Sequence, residues 1–113
     1  MRDVSRARAA LSTAAPAISA PMATAHWIVV GKVQGVGFRW FVREQARRWG
    51  VRGWVRNRPD GSVEIAASGP EESLQGLLAA VRRGPEGAAV SDVHPGSLAE
   101  ADELPEPFSI LRG

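Results

Sequence analysis

The spacing of the apolar residues changes near residue 38, and this change constrains the fold more than any other feature. Residues 26–33 (HWIVVGKV) form a short apolar run rich in β-branched residues, which is typical of a buried strand. From Phe38 onward one face repeats at helical spacing, and it comprises Phe38, Phe41, Val42, Gln45, Ala46 and Trp49. The sequence therefore predicts a strand followed by a helix, with Trp49 in the core and Gly50 ending the helix.

A hairpin and a second helix are predicted from the next part of the chain. Residues 51–57 and 62–68 have the composition of strands, and the RPDG sequence between them favours a tight turn. Pro70 suits the first position of a helix. The apolar stripe of that helix comprises Leu74, Leu77, Leu78 and Val81.

Two further strands complete the predicted fold. Residues 88–93 predict a fourth strand, and residues 108–111 are short enough for a fifth strand at an edge of the sheet. The order of elements is that of an α+β, ferredoxin-like βαββαβ sandwich, with two helices on one face of an antiparallel sheet. This fold supports many functions, so function has to be inferred from the site residues.

The length of 113 residues supports one domain with a single modest core. Residues 1–25 are rich in Ala, Ser, Arg and Pro without an amphipathic period, which predicts a flexible N-terminal extension, with Met22 as an alternative start. Residues 26–113 are then the folded domain. The chain lacks cysteine and an apolar run of about 18 residues. We therefore expect a monomeric, cytoplasmic protein that does not bind membranes.

Residues 31–39 (GKVQGVGFR) combine three glycines with an arginine at the start of the first helix. A cation in the first turn of a helix is unfavourable by about 0.3 to 1 kcal/mol, and a bound anion would reverse that sign. Glycines also let backbone N–H groups approach a phosphate closely. On spacing alone, a tight turn with a solvated Arg39 explains the segment equally well.

The charges of the chain are unevenly distributed, although the formal net charge is only +2. Residues 39–58 contain seven arginines and one acid, Glu44, whereas residues 86–106 contain six acids and no lysine or arginine. This distribution favours an anionic ligand near the first half of the domain.

Two segments in series resemble the motifs of the acylphosphatase family. GKVQGVGFR at residues 31–39 is similar to the family's GxVQGVxFR motif, and GWVRNRPDGSVE at residues 53–64 is similar to its GWVxNxxDGxVE motif. A looser GPxxAxV pattern is matched by residues 84–93. The resemblance covers residues 26–111, nearly the whole predicted domain.

The resemblance implies hydrolysis of acyl phosphates to carboxylate and inorganic phosphate, with no metal or cofactor. It assigns Arg39 and Asn57 as catalytic residues, Arg39 to the phosphoryl oxygens and Asn57 to the attacking water. It also implies a phosphate-binding loop formed by Gln34, Gly35, Val36, Gly37, Phe38 and Arg39. Inorganic phosphate is then both a product and a competitive ligand.

The alternative is a non-catalytic module that binds anions or nucleic acid. Trp54 lies between Arg52 and Arg56, an arrangement that could stack on single-stranded nucleic acid, but packing of the indole on arginine stems explains it as well. We expect no nucleic acid, since the part of the chain after residue 21 is neutral overall. His26 and His94 are predicted at the surface or at strand ends, with no metal site.

Overall fold

The computed structural model of the chain describes residues 22–97 and 104–112. They form five strands and two helices in the order β1 (Met22–Lys32), α1 (Phe38–Arg48), β2 (Arg52–Asn57), β3 (Val63–Pro70), α2 (Glu71–Arg83), β4 (Ala89–Pro95) and β5 (Ser109–Ile110). This order of strands and helices is the predicted one, including the hairpin of β2 and β3 and the short fifth strand.

The five strands form one sheet in the order β4-β1-β3-β2-β5. The first four strands pair antiparallel, whereas β5 pairs parallel with β2, so the sheet is mixed at that edge. Both helices pack on this sheet, and the ferredoxin-like α+β fold is confirmed. Neither of these two helices is long and apolar enough to cross a membrane.

The core lies between the sheet and the helices. Alternate residues of β1, among them Trp27 and Val29, are buried toward it, as the period of two in a strand requires. The helices contribute their predicted stripes, of which Phe38, Val42, Ala46, Leu74, Leu77 and Val81 are buried. Burial of these stripes fixes the rotation of each helix about its axis.

The predicted boundaries at residues 25 and 70 are wrong. Strand β1 begins at Met22, because Met22–Ala25 pair with the last four residues of β3, and these four residues therefore belong to the sheet and not to an extension. Pro70 ends β3 and precedes α2 as its N-cap instead of taking the first helical position. The rest of the predicted extension, residues 1–21, lies outside the described residues.

Trp49 is not a core residue as predicted, since 41% of it is exposed. Helix α1 ends at Arg48, so Trp49 follows as the C-cap at the rim of the helical layer. Its ring packs against Gly76 of α2, where a Cβ atom would collide with the indole. The apolar period thus identified the correct face of the helix, but it did not predict how far Trp49, at the end of that face, is buried.

The face of the sheet away from the helices has its own polar cluster, which consists of His26, Trp54, Arg56 and Glu64. The Glu64 carboxylate contacts His26 Nε2 at 2.6 Å and Arg56 Nε at 2.8 Å. The Arg56 guanidinium lies 5.1 Å from the centre of the Trp54 ring, which confirms packing of the indole on arginine. The prediction that His26 lies at the surface or at a strand end is wrong, because only 9% of its side chain is exposed and it lies within β1.

Candidate active site

The loop between β1 and α1 has the backbone geometry of an anion site. Gly35 and Gly37 adopt φ values of 77° and 75°, a left-handed conformation that other residues rarely adopt. Gly37 is the N-cap of α1 and supplies no side-chain cap, and the first intrahelical bond runs from Phe41 N to Gly37 O at 3.0 Å. The amides before Phe41 therefore have no intrahelical acceptor and are available to an anion.

Gln34 joins this loop to the hairpin between β2 and β3. Its Nε2 donates to Arg58 O at 2.8 Å and to Ser62 O at 2.9 Å. On the hairpin, Asp60 Oδ1 accepts hydrogen bonds from Ser62 Oγ at 2.6 Å and from Ser62 N at 2.9 Å, which hold the pKa of Asp60 below its ordinary value. The two sequence motifs are thereby held together by hydrogen bonds, with Gln34 in a structural role.

Arg39 is the second residue of α1 and is half-buried. Its Nη1 lies 3.5 Å from Leu111 O, at the limit of a hydrogen bond. The first turn of α1 contains no acidic residue, and no carboxylate of residues 22–97 and 104–112 forms an ion pair with Arg39. The guanidinium is therefore not neutralised by the described part of the chain.

Asn57 is the last residue of β2, and its backbone pairs with Val63. Its side-chain Oδ1 is buried and has no hydrogen-bond partner among the described residues. Burying such a group unsatisfied costs about 1 to 3 kcal/mol, so stability alone does not favour an asparagine here. The carboxamide offers both a donor and an acceptor to a water molecule.

A small cavity brings these groups together. It has a volume of about 190 Å³ and is lined by Val33, Gly35, Gly37, Phe38, Arg39, Trp40, Asn57 and Ile110. The two predicted catalytic residues, Arg39 and Asn57, thus share one cavity with the glycines of the loop. Gln34 and Val36 of the predicted loop do not line it.

Trp40 and Ile110 line the cavity although the sequence analysis assigned no role to either residue. Trp40 follows Arg39 directly and lies off the buried stripe of α1. A large apolar residue at such a position was the signal by which the sequence could have indicated a role at the site. Ile110 is in β5, a strand of two residues that has no period to detect.

The segment 104–111 that carries Ile110 is held through its main chain. Arg47 donates two hydrogen bonds to Phe108 O, at 3.2 and 3.0 Å, and Arg52 Nε donates to Leu104 O at 2.9 Å. Leu111 N donates to Val55 O at 2.9 Å. Arginines from α1 and β2 therefore fix the position of this segment beside the cavity.

The described residues offer no set of metal ligands at the cavity. Nowhere in residues 22–97 and 104–112 do three or more His, Cys, Asp or Glu side chains group together as metal ligands do. The polar groups that line the cavity are a guanidinium, a carboxamide and backbone amides, and these groups suit an anion and a water molecule.

A family model described as acylphosphatase matches residues 25–110. The chain belongs to the acylphosphatase family. It is 45% identical over 92 residues to an acylphosphatase of Bifidobacterium longum, an alignment that covers 81% of this chain and 95% of that protein. Hydrolysis of acyl phosphates, the reaction of this family, is the activity of the chain, and it places the protein among hydrolases that act on acid anhydrides.

Solved structures agree with this assignment. The crystal structure of acylphosphatase from Bacillus subtilis aligns with a TM-score of 0.67 and 42% sequence identity, covering 80% of this chain and 99% of that one. An acylphosphatase from Coxiella burnetii aligns with a TM-score of 0.71 and 37% identity, covering 80% and 93%. The fold and the family are therefore supported by sequence and by structure.

Proposed function

We propose that Arg39 and the amides of the loop bind the phosphoryl group of an acyl phosphate, and that Asn57 orients the water that attacks it. The observation that supports this most directly is the shared cavity, in which an arginine without an acidic partner in the described chain meets a carboxamide whose oxygen is unsatisfied. Both groups have unused hydrogen-bonding capacity in the same place.

The reaction requires positioning and charge stabilisation more than covalent chemistry. Water attacks phosphorus, the bond between phosphorus and the acyl oxygen breaks, and its electron pair leaves with the carboxylate. The water oxygen stays on phosphorus, and both of its protons pass to the phosphate product, which releases one of them to solvent when it ionises from H2PO4⁻ to HPO4²⁻. Because negative charge spreads over the phosphoryl oxygens, a planar guanidinium that donates to two of them stabilises the transition state.

The side chain at position 57 has to hold water beside an anion. A carboxylate there would repel the phosphoryl group, and this repulsion is strengthened where solvent is partly excluded. A carboxamide binds water without adding charge. Of the eight lining residues, all of them in the described part of the chain, none is acidic.

The substrate is a small-molecule acyl phosphate, and we propose that the reaction needs no metal ion or cofactor. We further propose that inorganic phosphate competes with the substrate, since it carries the same group that Arg39 binds. The monomeric state, the cytoplasmic location and the absence of nucleic-acid binding stay predictions from the sequence.

The test is phosphate release from benzoyl phosphate in the presence and absence of EDTA. We expect the same rate in both, because the lining residues supply no metal ligands. The Arg39→Ala variant serves as the control for spontaneous hydrolysis of the substrate. A rate that collapses with EDTA and returns with a divalent ion would contradict the metal-independent mechanism.

A further inference from the structure

Within the described part of the chain, two apolar side chains of the cavity surface are accessible to a ligand. Among the lining residues, Val33 and Phe38 are each 1% exposed and belong to the core. Trp40 is 58% exposed, and Ile110 is half-buried. Trp40 and Ile110 are therefore the apolar surface that borders the phosphate-binding loop, and we call them the apolar wall.

The position of Trp40 follows from helix geometry. It is the third residue of α1, and side chains in a helix tilt toward its N-terminus, so they cover the turn before their own Cα. At this position that turn adjoins the loop that contains Gly35 and Gly37. Helix geometry thus favours contact between the indole and the anion site, and Trp40 is not part of the buried stripe of the helix.

Ile110 lines the cavity from β5, the strand at the edge of the sheet. Its backbone pairs with Val55 in the parallel register of β5 and β2. The hydrogen bonds from Arg47 to Phe108 O and from Leu111 N to Val55 O hold the strand on both sides of Ile110. The apolar wall therefore consists of one residue on a helix and one on a tethered strand.

The size of the cavity decides which part of the substrate meets this wall. A volume of about 190 Å³ is below the range of roughly 300 to 1,000 Å³ that is usual for pockets enclosing a drug-sized ligand. Arg39, Asn57 and the loop amides take up the phosphoryl group within this volume. Little of it is then left for the acyl group, which meets the accessible apolar side chains of Trp40 and Ile110.

On the basis of the proposed function, we propose that Trp40 and Ile110 bind the acyl group and select acyl phosphates whose acyl group is flat and apolar. Stacking of an aromatic acyl group on an indole contributes about 0.5 to 1.5 kcal/mol beyond burial of area. Arg39 is the only charged residue among those that line the cavity in the described chain, and the phosphoryl group engages it. A charged acyl group finds no such partner there.

The experiment compares kcat/KM for benzoyl phosphate and acetyl phosphate, which differ in the acyl group alone. In Trp40→Ala we expect the benzoyl-to-acetyl ratio to fall about three- to tenfold, because the methyl group of acetyl phosphate has little surface to lose. Trp40→Phe keeps an aromatic face and should retain most of the ratio. Trp49→Ala, which removes an exposed indole at the other end of α1, is the matched control and should leave the ratio unchanged.

The outcomes separate this inference from the proposed function. If both substrates are hydrolysed and Trp40→Ala leaves the ratio unchanged, or lowers both values equally, the apolar wall does not select the acyl group. If Arg39→Ala hydrolyses both substrates as fast as the unmodified protein, the proposed function fails instead. The inhibition constant of inorganic phosphate should stay unchanged in Trp40→Ala, since phosphate has no acyl group, and a large change would contradict the assignment.

Discussion

Arg39 and Arg56 have the same side chain but opposite surroundings. Arg56 donates to Glu64 at 2.8 Å, Glu64 also contacts His26 Nε2, and the guanidinium covers Trp54. The carboxylate and the guanidinium of the polar cluster thus satisfy each other, and of the described cluster only His26 Nδ1 is buried without a hydrogen-bond partner. Arg39 has one long contact with a carbonyl oxygen and shares its cavity with the unsatisfied Oδ1 of Asn57. Polar groups that satisfy each other stabilise the fold, whereas groups left unsatisfied are available to a ligand.

The pKa of Glu64 shows that its partners in the polar cluster stabilise its charge. Its burial would raise its pKa, but hydrogen bonds from His26 and Arg56 and the charge of Arg56 outweigh burial, so the pKa of Glu64 lies below the ordinary 4.5. The polar cluster therefore stabilises the ionised form of Glu64 in the folded state.

The largest effect on activity is expected for the substitution of Arg39. We expect Arg39→Ala to lower kcat/KM for benzoyl phosphate about a thousandfold, because it removes the main countercharge of the transition state. It should also weaken inhibition by phosphate, with little change in Tm, since a cation at a helix N-terminus is unfavourable.

Arg56→Ala is the matched variant for that measurement. It should keep its activity but lose about 1 kcal/mol of stability, a fall in Tm of roughly 4 to 8 °C for a domain of this size. If Arg39→Ala and Arg56→Ala lowered activity equally, Arg39 would have no special role in catalysis compared with the arginine of the polar cluster.

Asn57 should show a smaller effect, and in kcat rather than in phosphate binding. We expect Asn57→Ala to lower kcat about a hundredfold, or about 2.7 kcal/mol, while the inhibition constant of phosphate stays nearly unchanged. Asn57→Asp, unlike Asn57→Ala, should weaken phosphate binding, because it places a carboxylate beside an anion. A normal kcat in Asn57→Ala would leave Asn57 with the role of a strand-end residue only.

The smallest effect concerns stability against pH. A lowered pKa means that the contribution of Glu64 is present above about pH 4.5 and is lost as the pH falls through the lower pKa of the folded state. Glu64→Gln should therefore have a lower Tm than the unmodified protein at pH 7, and the difference should narrow below pH 4.5.

An exposed glutamate provides the control for that series. Glu86→Gln, in the exposed turn between α2 and β4, should differ little in Tm at any pH. A gap for Glu64→Gln that stays constant from pH 7 to pH 3 would show that the charge of Glu64 does not stabilise the fold.

The sequence predicts the elements well because their signals are local. The change from strand to helical spacing at Phe38 and the RPDG turn each depend on neighbouring residues. Arg39 and Asn57 were found through motifs, whereas their proximity depends on the packing of α1 against β2. The contact between His26 and Glu64 was missed because it depends on strand register across 38 residues.

The predicted fifth strand at an edge of the sheet is confirmed, but its pairing was harder to predict for a related reason. Strand β5 has two residues, so it contains no alternation, and its parallel pairing with β2 is determined by tertiary contacts alone. The packing of the Trp49 ring depends on the absence of a side chain at Gly76, which is in another helix. Such dependence on distant residues leaves no trace in local spacing.

The tether of the segment 104–111 has an evolutionary consequence. Arg47 and Arg52 hold it through the carbonyl oxygens of Phe108 and Leu104, and a carbonyl oxygen is present whatever residue occupies the position. Substitution of Ile110 therefore alters what borders the acyl group without removing these hydrogen bonds. Substrate preference can thus diverge between descendants of this protein while the machinery for phosphate stays the same.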